Sequence, residues 1–349
     1  MDMPSTVSRP TDRGKFHIAI ICALAKEANA VIEVLNPESA EWESFGKAVG
    51  DTNSYTTGAI NRHHVVVVYS GTGTIKTATT AGNLFRSFPN ISLVLVVGIC
   101  GGVPNNEDRE LRDMYLGDLV ISSHVVDYTF VKQYPTESTI ITRRDDQTTK
   151  QHPDARNFVR KFEMRTFQKK LQNGIKAELK HQHDMDPITF PEYPGATKDR
   201  LFKAEYQHQH RDGQGCEDGL CSADSSTTCK RAYKATCNEL KCASIEGAYA
   251  REKPAGNGES TVPAIHVGTF GSGNTVMKSG TDRDRIAWQE NIDAFEMEAV
   301  GVWDQCPTII FKAVCDYADS HKSKEWQAYA AGIAAIGLRV LLHFHHEFY

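Results

Sequence analysis

Glu296 and Glu298 in the run Phe295-Glu296-Met297-Glu298-Ala299, and Asp316 and Asp319 in Cys315-Asp316-Tyr317-Ala318-Asp319, set carboxylates against short apolar segments. Carboxylates in distinct environments can divide acid and base work, because burial and neighbouring charge move their proton affinities apart. The run 308–314 (TIIFKAV) reads as a buried strand: β-branched and apolar residues follow one another without helical period, and polar residues bound it. Asp316 then falls just beyond a strand end, where open α/β sheets bind ligands. Taken singly, each acid is explained by solvating a surface or capping a helix. Glu298 and Asp316 together resist that explanation, because both border apolar segments that should be buried.

The elements that would position these acids follow from the same patterns. Residues 16–24 (FHIAIICAL) form a first buried strand, followed by a helix with Ala28, Val31, Ile32 and Leu35 on one face. Residues 64–69 form a second strand, and the stretch after Gly71 turns into a helix carrying Ala78, Ala81, Leu84, Phe85 and Phe88. A strand over 93–97 enters a glycine loop, Gly98-Ile99-Cys100-Gly101-Gly102. Neither this loop nor GTGT at 71–74 is a Walker or dinucleotide fingerprint, so each is a tight turn or a place where backbone N–H groups approach a ligand. From 325 to 346, Trp326, Tyr329, Ala330, Ile333, Gly337, Val340, Leu341 and Phe344 follow a helical stripe that reads as core, with Trp326 also a candidate to reach a ligand cleft.

Residues 143–260 differ in kind, being polar and rich in Lys, Gln, His and Gly, with an amphipathic stretch at 154–181 (Phe158, Phe162, Phe167, Leu171). No Pro/Ser/Gly linker flanks them, so they read as an insertion in a single domain spanning 1–349. They hold Cys216, Cys221, Cys229, Cys237 and Cys242, with His208 and His210 nearby. Metal ligands, disulfides and free thiols are all open readings, and the spacing is not that of a common zinc knuckle. The insertion is expected to be peripheral to any chemistry.

Composition excludes whole classes. A chain of 349 residues with net charge −5 and no long basic run is not a nucleic-acid scaffold. No apolar run suits a membrane span, and the polar start (MDMPSTVSRPTDRG) has no signal-peptide core, so a cytoplasmic protein with mostly reduced thiols is expected.

Five segments carry a family resemblance: VVGICGGVP (96–104), LGDLVIS (116–122), SGNTVMKSGTDRDR (272–285), FEMEAVG (295–301) and CDYADSHKSKEWQAYAAGIAA (315–335). In that order they resemble the purine and uridine phosphorylase and nucleosidase superfamily. Among its members they are most similar to the fungal nucleoside phosphorylase-like branch, which also stands as the N-terminal module of immune-receptor-like proteins. The resemblance covers 15–135 and 260–342. It implies a three-layer α/β/α fold with a mixed, partly barrel-like central sheet, cleavage of an N-glycosidic bond, and a homo-oligomer, dimer or higher.

Cleaving a purine nucleoside builds positive charge on the sugar and negative charge on the base, so it calls for an acid at the base and anionic stabilisation near the ribose. By resemblance, Asp316 is the general acid at purine N7 and Glu298 grips the ribose hydroxyls. Met297 packs under the sugar, and Val276 and Met277 hold the base. Gly73, Gly98 and Ile99 belong to the ribose-side loops, and Lys312 stands where many relatives carry arginine. The first strand ends Cys22-Ala23-Leu24-Ala25-Lys26-Glu27 rather than in the glycine-aspartate-proline turn of the bacterial phosphorylases. Glu27 falls where related nucleosidases place the glutamate that activates water, and such an acid repels phosphate. A first-turn helix acid stabilised by the dipole is its other reading. Ile99 replaces a common serine or threonine, and VVDYTFVKQY (125–134) departs from the branch's VVQYDFGK.

The expected function is therefore a purine nucleoside hydrolase with catalytic Asp316 and Glu27, using water and neither cofactor nor metal. The alternatives are a phosphate-dependent phosphorylase, a nucleosidase acting on AMP or ATP through Lys76, Lys132, Lys278 or Arg283, and a silent nucleoside-sensing module.

Overall fold

The computed structural model describes residues 7–345, apart from 40–41, 43, 105–112, 136–137, 141–150, 186–190, 212–215, 217–218, 222–227, 243–247 and 251–261. Its first half alternates strands and helices: β1 (Ile18–Cys22), α1 (Ala25–Glu33), β2 (Tyr55–Ile60), β3 (His63–Tyr69), α2 (Thr74–Ser87), β4 (Leu93–Gly102) and β5 (Leu119–Asp127). A hairpin of β6 (Val131–Gln133) and β7 (Ser138–Ile140) precedes α3 (Pro153–Arg160) and α4 (Arg165–Met185). After the short pair β8 (Arg200–Phe202) and β9 (Ala248–Ala250) come β10 (Ile265–Ser272), α5 (Gly280–Glu290), β11 (Ala294–Glu296), β12 (Thr308–Asp316) and α6 (Gln327–Leu341).

Eight strands form one sheet in the order β11-β10-β5-β12-β4-β1-β3-β2. Apolar runs such as Ile18–Cys22 are buried along their whole length, as expected of strands covered on both faces. A further antiparallel pairing of β11 with β4, Phe295 opposite Gly101 and Ala294 opposite Gly102, closes β4, β12, β5, β10 and β11 into a barrel-like ring. The fold is thus α/β with a mixed, partly barrel-like sheet, as the motifs implied.

Helix α6 is buried nearly all round, and its small residues let it lie close on the sheet. A Cβ on Gly337 would stand 2.8 Å from Leu119 and 2.9 Å from Phe311. Helix α1 buries Ala28 and Val31 as expected, but Ile32 is exposed and Glu27 is buried in its stead.

The polar middle divides in two. Its amphipathic helices α3 and α4 and the short turn between them give Phe158, Phe162, Leu171 and Ile175 to the main core. The cysteine-bearing part instead forms a small cluster of its own around Phe202, Ala232 and Leu240. Among the described residues no helix is long and apolar enough to cross a membrane.

Candidate active site

At the end of β1 the chain turns through Ala23 and Leu24 into α1, and Glu27 folds back over that turn. Its Oε2 accepts the backbone N–H groups of Ala23 and Leu24, both at 2.8 Å. Its Oε1 accepts that of Ile99 at 2.8 Å, tying α1 to β4. The carboxyl is 2% exposed. Burial pushes its proton affinity up, the Lys312 charge and the Ile99 N–H pull it back, and Glu298 adds to the rise, leaving Glu27 above the ordinary carboxylate range.

Room for this carboxylate comes from Gly98, where any Cβ would collide with Glu27 Oε1 and Cδ. The glycine run 98–102, expected to be a loop, is strand: it continues β4, pairing with β12 as far as Asp316 opposite Gly101. The glycines are there because neighbouring walls come too close for side chains. A Cβ on Gly101 would stand 2.9 Å from both Asp316 Oδ1 and Ala318 Cβ, and one on Gly102 would stand 2.7 Å from Met114 Sδ.

Three acids surround one buried cation. Lys312, inside β12 and 1% exposed, donates to Glu298 Oε2 at 2.7 Å and lies 3.4 Å from Glu296 Oε2. Burial alone would lower its proton affinity, but Glu298, Glu296 and Glu27 outweigh it and hold Lys312 above the usual lysine range. Burial likewise raises Glu298, yet Lys312 prevails and its carboxyl ends below its ordinary value. Glu298 Oε1 also takes the N–H of Gly73 at 3.3 Å, so the N-terminus of α2 helps to hold it. Glu296 accepts the N–H groups of Glu298 (2.9 Å) and Ala299 (3.1 Å), and burial keeps it raised despite Lys312.

Asp316 is the last residue of β12 rather than one beyond it. Its Oδ1 accepts the Ala318 N–H at 2.9 Å and faces Lys322 Nζ at 3.1 Å, while the Cys315 thiol donates to Oδ2 at 3.3 Å. The turn needs Ala318 at φ +52°, a left-handed conformation that non-glycine residues adopt at a cost. Buried Arg283 buttresses it, donating to Tyr317 O at 2.8 Å and lying 4.0 Å from Asp319. Burial raises Asp319, with Arg283 opposing.

These groups wall a cleft of about 340 Å3, within the range of small-molecule sites. Glu27, Ile99, Val276, Met277, Met297, Glu298 and Asp316, all expected at the site, line it together with Glu296, Phe295, Lys278, Lys322 and Lys324. Gly73, Gly98 and Lys312 stand behind the wall and position Glu298 and Glu27. Trp326 does not reach this cleft: it is buried against Tyr193 and Tyr329 and donates to Lys198 O at 3.3 Å. It lines instead an adjoining cavity of about 630 Å3, which shares Lys278, Asp316, Lys322 and Lys324 with the cleft. Of the cations considered for a phosphate, Lys278 lines the cleft and Arg283 is engaged as above. Lys76 and Lys132 are exposed and lie outside the cleft lining.

Sequence reasoning gave Lys322 no role and named Glu296 without placing it at the site. Glu296 was legible as half of the Glu-x-Glu pair. Lys322 had no signal, because its place depends on the Ala318 turn.

This arrangement offers a buried carboxylate held by three N–H groups, a second carboxylate locked to a cation, and a carboxylate–ammonium pair, all on the wall of one cleft. The family model described as "Phosphorylase superfamily" matches residues 17–185. Along 97% of its length the chain is 28% identical to a nucleotide-binding leucine-rich repeat (NLR)-like protein of Hyaloscypha variabilis, of whose length it spans 30%. Similar solved structures include the Helicobacter pylori MTAN mutant with 5′-methylthioadenosine in the active site (12% identical, 94% of this chain and 98% of that one, TM-score 0.54). The futalosine hydrolase of the same organism gives the same identity, coverage and TM-score. The Neisseria meningitidis 5′-methylthioadenosine/S-adenosylhomocysteine nucleosidase in complex with methylthio-immucillin-A is 14% identical, with 93% of this chain and 98% of that one covered and a TM-score of 0.54. Over residues 17–185 the chain matches the phosphorylase superfamily model, and the closed mixed sheet agrees with the fold of these solved structures.

Proposed function

We propose that this protein is a purine nucleoside hydrolase. The observation that carries the reading is the environment of Glu27: a buried carboxylate on the cleft wall, among two further acids whose lysine is already engaged. A carboxylate has roughly four acceptor directions, and the N–H groups of Ala23, Leu24 and Ile99 take three, leaving one on Oε1 for a water. An acid-rich wall disfavours phosphate as nucleophile. The water gives its proton to Glu27 as its oxygen bonds to C1′ and the glycosidic bond breaks. The base departs with its electron pair and takes a proton at N7 from Asp316, which Lys322 can resupply. Glu298, fixed by Lys312 and Gly73, grips the ribose hydroxyls, and Met297, Val276 and Met277 supply apolar contact.

Lys278, Lys322 and Lys324 on the wall shared with the adjoining cavity support a second reading, in which a nucleotide is accepted. Exposed Phe130, Tyr134 and Trp288 support a homo-oligomer, and a cytoplasmic location completes the proposal. The test is base release, followed by chromatography, from adenosine, inosine, guanosine, uridine, methylthioadenosine and ATP with and without phosphate. Free purine and ribose at rates independent of phosphate are expected. Ribose-1-phosphate overturns hydrolysis, and binding without release of any base assigns a sensing role instead.

A further inference from the structure

We propose that the cysteine-bearing segment is a zinc module whose first centre is His210, Cys216, Cys221 and Cys229. One ligand atom from each of the four lies within 4.8 Å of every other, and Cys229 Sγ is 3.4 Å from His210 Nδ1. Tetrahedral zinc, with Zn–S about 2.3 Å and Zn–N about 2.0 Å, needs ligand separations of about 3.5–3.8 Å, which small side-chain adjustments reach here. All nine cysteines are free thiols. A disulfide could join two of these three sulfurs and would leave the third and the imidazole idle.

The backbone is arranged for thiolates. The N–H of Cys221 points at Cys216 Sγ (3.3 Å), that of Cys229 at Cys221 Sγ (3.3 Å) and that of Ala232 at Cys229 Sγ (3.4 Å). Such donors stabilise the charge that remains on sulfur once each thiol has lost its proton to solvent on binding zinc. The segment also needs a staple: its strands β8 and β9 have three residues each, and its apolar cluster is too small to order it alone.

An independent observation points to a second centre at His208, Cys242 and His321, again with ligand atoms within 4.8 Å of one another and all three residues buried. His208 Nε2 lies 2.9 Å from Ala235 O, which fixes that nitrogen as the N–H and leaves the Nδ1 lone pair free to ligate. Around that Nδ1 stand Cys242 Sγ at 3.5 Å and Cys237 Sγ at 3.6 Å. His321 Nε2 is buried without a hydrogen-bond partner. Because His321 shares a loop with Asp316 and Lys322, zinc here would clamp the module to that loop.

The test is zinc content by elemental analysis of full-length protein purified without chelator. About two zinc ions per chain are expected, falling to about one in Cys221→Ser/Cys229→Ser and to about one in Cys242→Ser/His321→Ala. Should these variants not fold, cobalt(II) titration of the wild type replaces them, with thiolate-to-metal charge-transfer absorption as the expected signature. Wild-type protein incubated with zinc chloride that binds well under one ion, or whose five cysteines all react with a maleimide while the chain stays folded, overturns both centres. One zinc, lost only with Cys221 and Cys229, upholds the first centre and overturns the second.

Discussion

In the proposed function Glu27 has two tasks, and the same three hydrogen bonds serve both. As a first-turn acid reaching back to Ala23 and Leu24 it closes the start of α1, and through Ile99 it pins that turn to β4. Glutamine cannot repeat this, because its NH2 group must face a backbone N–H on one side or the other. Glu27→Gln is therefore expected to lower kcat by about 10² to 10⁴. It should also lower stability by about 1 to 3 kcal/mol, read as a shifted urea midpoint, with nucleoside affinity little changed. Wild-type turnover in this variant would leave the hydrolase reading without its base. Asp316→Asn keeps the acceptor for Ala318 N–H but delivers no proton, so base release should fall by about 10² to 10⁴ with modest change in KM. An unaffected kcat would move the acid role to Asp319. Glu298 and Asp316 stood out as acids at the edges of apolar runs, where solvation alone is a poor explanation, whereas Glu27 came only from the resemblance. Arg283 was one of four cations named for a nucleotide phosphate, and sequence does not reveal that Tyr317 O and Asp284 already occupy it.

At the scale of elements, β4 is the axis of the site. It pairs with β1, which leads to Glu27, with β12, which ends in Asp316, and with β11, which leads to Glu298. Three walls converging on one strand leave no space for side chains at Gly98, Gly101 and Gly102, and this crowding, not turn formation, accounts for the glycines. The pattern of hydrophobic runs located β1, β3, β4 and β12 correctly. It stopped β4 at residue 97 because a glycine run normally marks a loop, and the partners that make it strand are distant in sequence. Gly98→Ala is accordingly expected to keep the fold, judged by circular dichroism, while driving the Glu27 carboxylate from its place and reducing turnover about as far as Glu27→Gln does. Gly82→Ala is the control: it lies on the exposed face of α2 with nothing within 4 Å of a new Cβ, and should leave turnover unchanged and add about 0.5 to 1 kcal/mol of stability. Equal activity in the two variants would show that β4 does not position Glu27.

For the whole molecule, closure of the sheet gathers Glu27, the pair Glu296 and Glu298, and Lys312 from three stretches of chain into one buried cluster with an excess of negative charge. Periodicity reports which residues are buried but not which buried charges meet, so this cluster was only partly legible; the convergence of His210, Cys216, Cys221 and Cys229 escaped for the same reason. The excess charge has a consequence for pH. Burial raises Glu27 above the value near 4.3 that it has in the unfolded chain. A carboxyl raised on folding contributes stability that is complete below the unfolded value and is lost as pH rises through the folded one. Catalysis has the opposite need, since only ionised Glu27 can accept a proton from water. Turnover should therefore climb with pH through the interval above the unfolded value while the wild type loses stability relative to Glu27→Gln across the same interval. Any constant cost of the amide cancels from that trend, as does the shift of Asp319, whose neighbours do not include Glu27. Urea unfolding of the two proteins at a series of pH values, beside kcat of the wild type, makes the comparison. A stability difference that stayed flat with pH, or that moved in favour of the wild type as pH rose, would mean that Glu27 is not held above its ordinary range, and the acid limb of the rate profile would then belong to another group.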